Sequence, residues 1–292
     1  MNREPSLQSI AMPSAQSIEV PSAMMAALAT RCLIDEARLS PKPGLVDSRG
    51  SGAHQDLTLA LMERSAHSLQ PTFQALALHS WNRPADIALR QTIGRLGREG
   101  ERQMMQATEG VNTHRGAIWA MGLLVSASAM LAGERAPQAL ADAAASLARI
   151  ADEAAPKLFS KGLRASRRYR VPGAREEAQQ GFPHILQLAL PQLIRSRRLG
   201  ASENEAQLDA LMAIMTSLSD TCVLSRAGAQ GLTAMQEGAR RVLTAGGVMQ
   251  PEGQRALAAL DAQMIRLNAS PGGAADLLAA TLFLDRLADL PF

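Results

Sequence analysis

From Ala117 to Ala132 the chain carries no charged side chain. A helix that is apolar all round has to be buried, in protein or in lipid. This run is shorter than the ~20 apolar residues a bilayer requires, and Ser126 and Ser128 interrupt it. It therefore reads as the central helix of a bundle. Composition points the same way: 47% of the residues are hydrophobic but only 3% are aromatic. Leu, Ala, Ile and Met must fill the core, and strand-forming residues are scarce. The expectation is an all-α fold, a single-domain multi-helix bundle around one buried apolar helix, with long functional loops.

Periodicity and caps place the other helices. Residues 1–21 are rich in Pro, Ser and Gln, lack a period and read as a disordered tail. Residues 22–292 form one helical domain, with no repeat and no linker. Ser22 is expected to cap a first helix to Arg38. Further helices are expected from Ala53–Asp56, from Pro84 to Thr108, from Pro137 to Glu153, from Phe182 to Arg198 and from Glu203 to Leu218. Ser202 and Glu205 form a capping box for the last of these. A turn with a short helix covers Asp220–Gly231, a helix covers Leu232–Thr244, and two more complete the chain.

Charge and cysteines exclude several classes. The net charge of +3 and the isoelectric point near 9.3 are too weak to argue for nucleic acid. Basic residues do crowd one segment: Lys157, Lys161, Arg164, Arg167, Arg168, Arg170 and Arg175. Only Phe159 and Tyr169 are there to stack on bases, so a basic lid over a small polyanion, or a solvated loop, fits at least as well. Cys32 and Cys222 lie far apart without metal-site spacing, as in a protein of the reducing cytoplasm. No secretory signal is read at the N-terminus, and no membrane partner is expected.

Chemistry concentrates in loops and helix starts. Ser40–Asp56 holds Pro41, Pro43 and three glycines and cannot be helix. Its Lys42 suits a phosphate, Asp47 and Asp56 suit Mg²⁺, and His54 stands beside Asp56. In Asn112-Thr113-His114-Arg115-Gly116, Asn112 or Thr113 is expected to cap. Two cations in the first turn oppose the helix dipole unless an anion binds between them. In Ser270-Pro271-Gly272-Gly273, Ser270 suits the N-cap, and the amides of the glycine turn are expected to be open to phosphate. Asp276 follows on the same face, where a carboxylate near phosphates implies an intervening cation. Asp220 and Arg226 flank a turn; His67, His79 and His184 show no partner in the sequence.

These motifs, in this order, resemble one family. Pro41-Lys42-Pro43-Gly44-Leu45-Val46-Asp47, Gly52-Ala53-His54 with Asp56, Gly110–Ile118, Gly181-Phe182-Pro183 and Ser270–Thr281 look like the triphosphoribosyl-dephospho-CoA synthases. The resemblance runs from Thr30 to Phe283. One residue departs from it: Glu176 stands where the family has glycine, while Arg175 and Glu177 match. A chain of this length without a fused domain is closer to the malonate-decarboxylase type than to the citrate-lyase type.

The resemblance implies a pentosyltransferase that uses ATP, Mg²⁺ and 3′-dephospho-CoA, with no tightly bound organic cofactor. The ribose 2′-hydroxyl of dephospho-CoA displaces adenine from ATP, and the product is the prosthetic-group precursor of an acyl-carrier protein. An α linkage made from a β-nucleotide implies a single displacement. The triphosphate would be gripped by Lys42, Asn112, His114, Arg115, Arg175, Arg226, Ser270, Gly272 and Gly273. Asp47, Asp56 or Asp276 would hold the metal; Asp56 or Asp47 would alternatively serve as base, with His54 nearby as acid or orienter. A homodimer is compatible with the sequence and not required by it. Two rival readings remain: a Mg²⁺-dependent hydrolase of nucleotides or ADP-ribose, and a non-enzymatic helical module for polyanions.

Overall fold

The computed structural model describes residues 15–132, 134–155 and 161–291. Lys157, Phe159 and the first part of the expected tail lie outside them. The described residues form twelve α-helices and no strand. The chain runs α1 (Ala15–Arg38), α2 (Leu59–Ser80), α3 (Ile87–Ala107), α4 (Arg115–Met130), α5 (Pro137–Arg149), α6 (Lys161–Tyr169) and α7 (Ala174–Gln179). A π-helical segment, His184–Ala189, then leads into α8 (Leu190–Arg198), followed by α9 (Glu203–Met215), α10 (Thr221–Thr244), α11 (Pro251–Arg266) and α12 (Gly272–Leu287).

The uncharged run is α4, and it lies at the centre, packed by α1, α2, α3, α5, α7 and α12. Every residue from Ala120 to Ala129 is buried. The centre is wider than the single helix expected. In α9 every residue from Ala206 to Met215 is buried, and α12 is buried along almost its whole length after Ala274. Removing one wholly buried leucine from such a core, such as Leu124, typically costs about 2–5 kcal/mol.

Several helix starts differ from expectation, each for a local reason. α1 begins at Ala15 and runs through Pro21, so Ser22 is a buried interior residue rather than a cap. α2 begins only after Thr58, whose hydroxyl accepts the Leu61 amide at 3.2 Å. Asp86, not Pro84, caps α3 and accepts the Leu89 amide. α10 is broken at Gly228, where φ 64° and ψ −162° suit only glycine.

Candidate functional site

One cleft opens where several chain segments meet. Gly116 at the start of α4, Thr221 at the start of α10 and Gly273 at the start of α12 all line it. Helix starts present free amides and a positive dipole end, so three converging starts favour anionic groups. Pro172, Gly173, Glu177, Phe182 and His184 also line the cleft, as do Asp220 and Asp276.

The two aspartates already use part of this positive field. Asp220 caps α10: its Oδ1 accepts the amides of Cys222 at 2.8 Å and Val223 at 3.2 Å. Its Oδ2 accepts the Ala274 amide at 2.9 Å, and the Gly273 amide is also turned to it. One carboxyl therefore joins the starts of α10 and α12. Burial nonetheless raises its pKa, against the pull of those four amides. Asp276, one turn into α12, accepts the Ala117 amide of α4. Burial first, and then the nearby carboxyls of Glu36 and Asp220, push Asp276 well above the ordinary carboxylate range. A Cβ on Gly116 would lie 2.0 Å from Asp276 Oδ2, so a side chain at 116 would have to displace that carboxyl.

The glycine turn at 270–273 is thus not open in the manner expected. The Gly272 amide donates to Ser270 O at 3.0 Å, and the next two amides belong to Asp220. Pro271, not Ser270, takes the N-cap position. Ser270 is buried, with its hydroxyl 2.8 Å from His54 Nε2.

The Ser40–Asp56 loop is also more inward-facing than a charged loop suggests. Lys42 is 1% exposed, and its ammonium donates to Glu36 Oε1 and to Glu36 O, both at 2.6 Å. A lysine committed to an interior carboxylate is not presented to a phosphate. Asp47 is buried beneath Arg49, whose guanidinium reaches both its oxygens. Burial would raise Asp47, but Arg49 and the amides of Lys42 and Arg49 outweigh it and hold the carboxyl below its usual value. Asp56 faces solvent, its side chain 68% exposed, with Oδ1 3.7 Å from His54 Nδ1. Burial, followed by the positive charge of Arg226, lowers the His54 pKa.

The expected metal set of Asp47, Asp56 and Asp276 is therefore not assembled. Only Asp276 lines the cleft, and the described residues contain no group of three or more His, Cys, Asp or Glu able to hold a metal. What the structure does bring together is the loop and the start of α12. Besides the His54–Ser270 contact, Arg226 donates to Ala53 O, to Asn268 O and to Asn268 Oδ1. Arg226 is a tie between segments here, with two backbone carbonyls and the Asn268 side chain as its partners.

The Asn112–Gly116 motif is also used internally. His114 takes the N-cap position of α4, and Asn112 Oδ1 accepts the Arg115 amide at 3.3 Å. The His114 ring is buried, with Nδ1 2.7 Å from Ser65 Oγ and no partner at Nε2. Burial, then the positive charge of Lys42, lowers its pKa to about 4. A neutral imidazole removes the unfavourable cation from the helix start without an anion. Arg115 turns away to pair with Glu101 on the surface.

Two cleft residues had no partner legible in the sequence. Glu177 accepts the His184 amide at 3.0 Å through Oε1, and its Oε2 lies 2.7 Å from His184 Nδ1. Ser217 Oγ lies 3.2 Å from His184 Nε2. The cue was Gly181-Phe182-Pro183, a chain reversal that places the next residue over the helix before it. Glu176, the departure from the family pattern, points elsewhere and accepts the Gly173 amide at 2.9 Å, closing the first turn of α7. Arg175 is exposed beside it. The basic segment forms α6, which packs on α10 and leads through exposed Arg170 into the cleft wall at Pro172.

The structure is an all-helical protein with a cleft where three helix starts meet, and its relatives make it a transferase. The family model described as ATP:dephospho-CoA triphosphoribosyl transferase matches residues 22–291, and the chain belongs to that family. The chain is 77% identical over 264 residues to a 2-(5″-triphosphoribosyl)-3′-dephosphocoenzyme-A synthase of Klebsiella pneumoniae, covering 90% of this chain and 94% of the relative. It is 60% identical to probable synthases of the same name from Stutzerimonas stutzeri strain A1501 and Pseudomonas syringae pv. syringae strain B728a, each covering 90% of this chain and 91% of the relative. No solved structure matches it. No described helix is long and apolar enough to cross a membrane.

Proposed function

We propose that this chain joins ATP and 3′-dephospho-CoA, releasing adenine and forming 2′-(5″-triphosphoribosyl)-3′-dephospho-CoA in the cleft beside Asp276. The observation that carries this reading is the position of Asp276. Its carboxyl lies in the cleft, crowded by the charges of Glu36 and Asp220, where a cation would relieve it. Mg²⁺ enters as part of the substrate, bound to the triphosphate. Such an ion takes one or two carboxylates and fills its remaining positions with phosphate oxygens and water. Asp276 suits one of those positions, and the ion would neutralise phosphate charge there.

The triphosphate is not cleaved, so it serves as a handle. Binding energy from this remote group can hold C1″ of the ATP ribose in line with the attacking hydroxyl. Lys42, His114 and Arg115 have internal partners, so the grip falls to the cations near the cleft wall, Arg170 and Arg175. Inversion at C1″ needs no covalent enzyme intermediate. Cys32 fits that role for thiols: burial above all raises it to about 12, so it stays protonated.

We take the product to supply an acyl-carrier protein of the malonate-decarboxylase type, following the motif resemblance. Chromatographic assay of free adenine tests the reaction. Adenine should appear only when ATP, Mg²⁺ and dephospho-CoA are all present. Adenine or ADP-ribose breakdown without dephospho-CoA would point to a hydrolase instead. Charging of isolated apo-carrier proteins of the malonate and citrate systems, in the presence of the downstream transferase of each, tests the pathway.

A further inference from the structure

Resting on that transferase reading, we propose that His184 is the catalytic base that takes the proton of the attacking ribose hydroxyl, and that Glu177 is its positioning residue. Four groups with acid–base chemistry line the cleft: Glu177, His184, Asp220 and Asp276. Asp220 has both oxygens committed to backbone amides at two helix starts. Asp276 sits under the start of α4 and takes the Ala117 amide. Glu177 uses one oxygen on the His184 amide and the other on Nδ1. Asp276 is the carboxylate assigned above to the magnesium ion, which leaves His184, whose ring nitrogen Nε2 already faces a hydroxyl.

The geometry fixes which atom that is. With a carboxyl oxygen at 2.7 Å, Nδ1 is the donor, and Nε2 is left as the acceptor. Nε2 already faces a hydroxyl, Ser217 Oγ at 3.2 Å, on an exposed residue of the α9–α10 link. A substrate hydroxyl entering the cleft takes that place. This is the carboxylate–imidazole–hydroxyl order in which a base is oriented by a third group.

The backbone is shaped to hold the ring there. Phe182, wholly buried, has φ +56°, a left-handed conformation that is strained for a bulky residue. It follows Gly181, at φ +79°, and the two reverse the chain so that His184 returns over Glu177. His184 then opens the π-helical segment, a distortion that recurs at functional sites. The helix bearing Glu177 is fixed from behind, since Trp119 Nε1 donates to Ala174 O at 3.1 Å and Gln179 Nε2 to Ala148 O at 3.1 Å. His54 lacks this setting: it does not line the cleft, and its Nε2 meets a buried hydroxyl.

The step balances without a further reactant. The hydroxyl oxygen forms a bond to C1″ as the C1″–N9 bond breaks. The hydroxyl proton passes to His184 Nε2, adenine leaves with the bonding pair and takes a proton from water, and His184 returns its own proton to solvent.

The test is a pH–rate profile of wild type, His184→Gln and Glu177→Gln, with Mg²⁺·ATP and dephospho-CoA affinities measured by calorimetry. In wild type kcat falls on the acid side. His184→Gln should lower kcat by roughly 10²–10⁴, abolish that acid limb and leave both affinities unchanged. Glu177→Gln should lower kcat with KM unchanged, because the ring loses the carboxylate that orients it. The charges of Asp220 and Asp276, which also face the cleft, are the same in all three proteins. Active wild type with an unaltered His184→Gln profile overturns the assignment of His184 alone. Should His184→Gln fail to melt cooperatively, a Glu177→Gln profile that superimposes on wild type overturns it equally. Wild type that releases no adenine overturns the transferase reading, and the assignment with it.

Discussion

The carboxyl of Asp220 accepts the Ala274 amide at 2.9 Å, so the residue that caps α10 also occupies the first turn of α12. Its charge sits where phosphate was expected from the glycine turn. Asp220→Ala removes one cap and leaves buried amides unpaired at two helices. A loss of about 2–4 kcal/mol follows from typical cap and unsatisfied-amide costs, read by urea unfolding. A loss under about 0.5 kcal/mol, the scale of ordinary surface substitutions, would mean that the bridge is dispensable.

Asp276→Asn separates binding from stability. The folded-state pKa of Asp276 is raised, chiefly by burial. Its favourable contribution is therefore complete below the ordinary value of 3.8 and is lost as pH rises through the folded value. Relative to the variant, wild type should become less stable as pH rises above the ordinary value of 3.8, while the variant loses affinity for Mg²⁺·ATP. Parallel melting curves, or unchanged nucleotide affinity by calorimetry, would remove Asp276 from the site.

His114 titrates in the opposite sense. Burial lowers it from 6.5 to about 4, so its contribution is present above the ordinary value and is lost as pH falls through the folded one. Wild type should lose on the order of 3 kcal/mol from this group between pH 7 and pH 4. His114→Gln should show a shallower acid limb in thermal melts. An identical limb would place the acid sensitivity in other groups.

The double variant Cys32→Ala, Cys222→Ala should keep full turnover, because the single displacement uses no enzyme nucleophile. A folded but inactive double variant, assayed by adenine release, would reopen covalent catalysis.

The sequence carried the fold further than the site. Scarce strand formers and the uncharged run at 117–132 were enough for an all-α bundle with α4 inside. The burial of α9 was hidden by Asp209, which reads as a solvent-facing position. Its carboxyl in fact accepts the Ser196 hydroxyl at 2.7 Å and the Val248 amide at 2.8 Å. That Asp276 and Gly273 lie side by side in the cleft lining could be read because the helix start, the glycines and the carboxylate are contiguous, but the use of the Gly273 amide by Asp220 could not. Lys42 was misread because its partner Glu36 belongs to the preceding helix and faces inward. Asp220 and Ala274 are 54 residues apart, and no local pattern announces that contact. His184 and Glu177 are closer, but the φ of Phe182 decides whether they meet, and side-chain pattern does not encode it.

The proposed reaction moves the triphosphoribosyl group intact, within one cleft. Mass spectrometry of the product from pure protein, Mg²⁺, ATP and dephospho-CoA reads that transfer itself. One adenine should be released for each dephospho-CoA that gains a ribose bearing all three phosphates. Dephospho-CoA recovered unmodified, or a product that has gained phosphate without ribose, would contradict it.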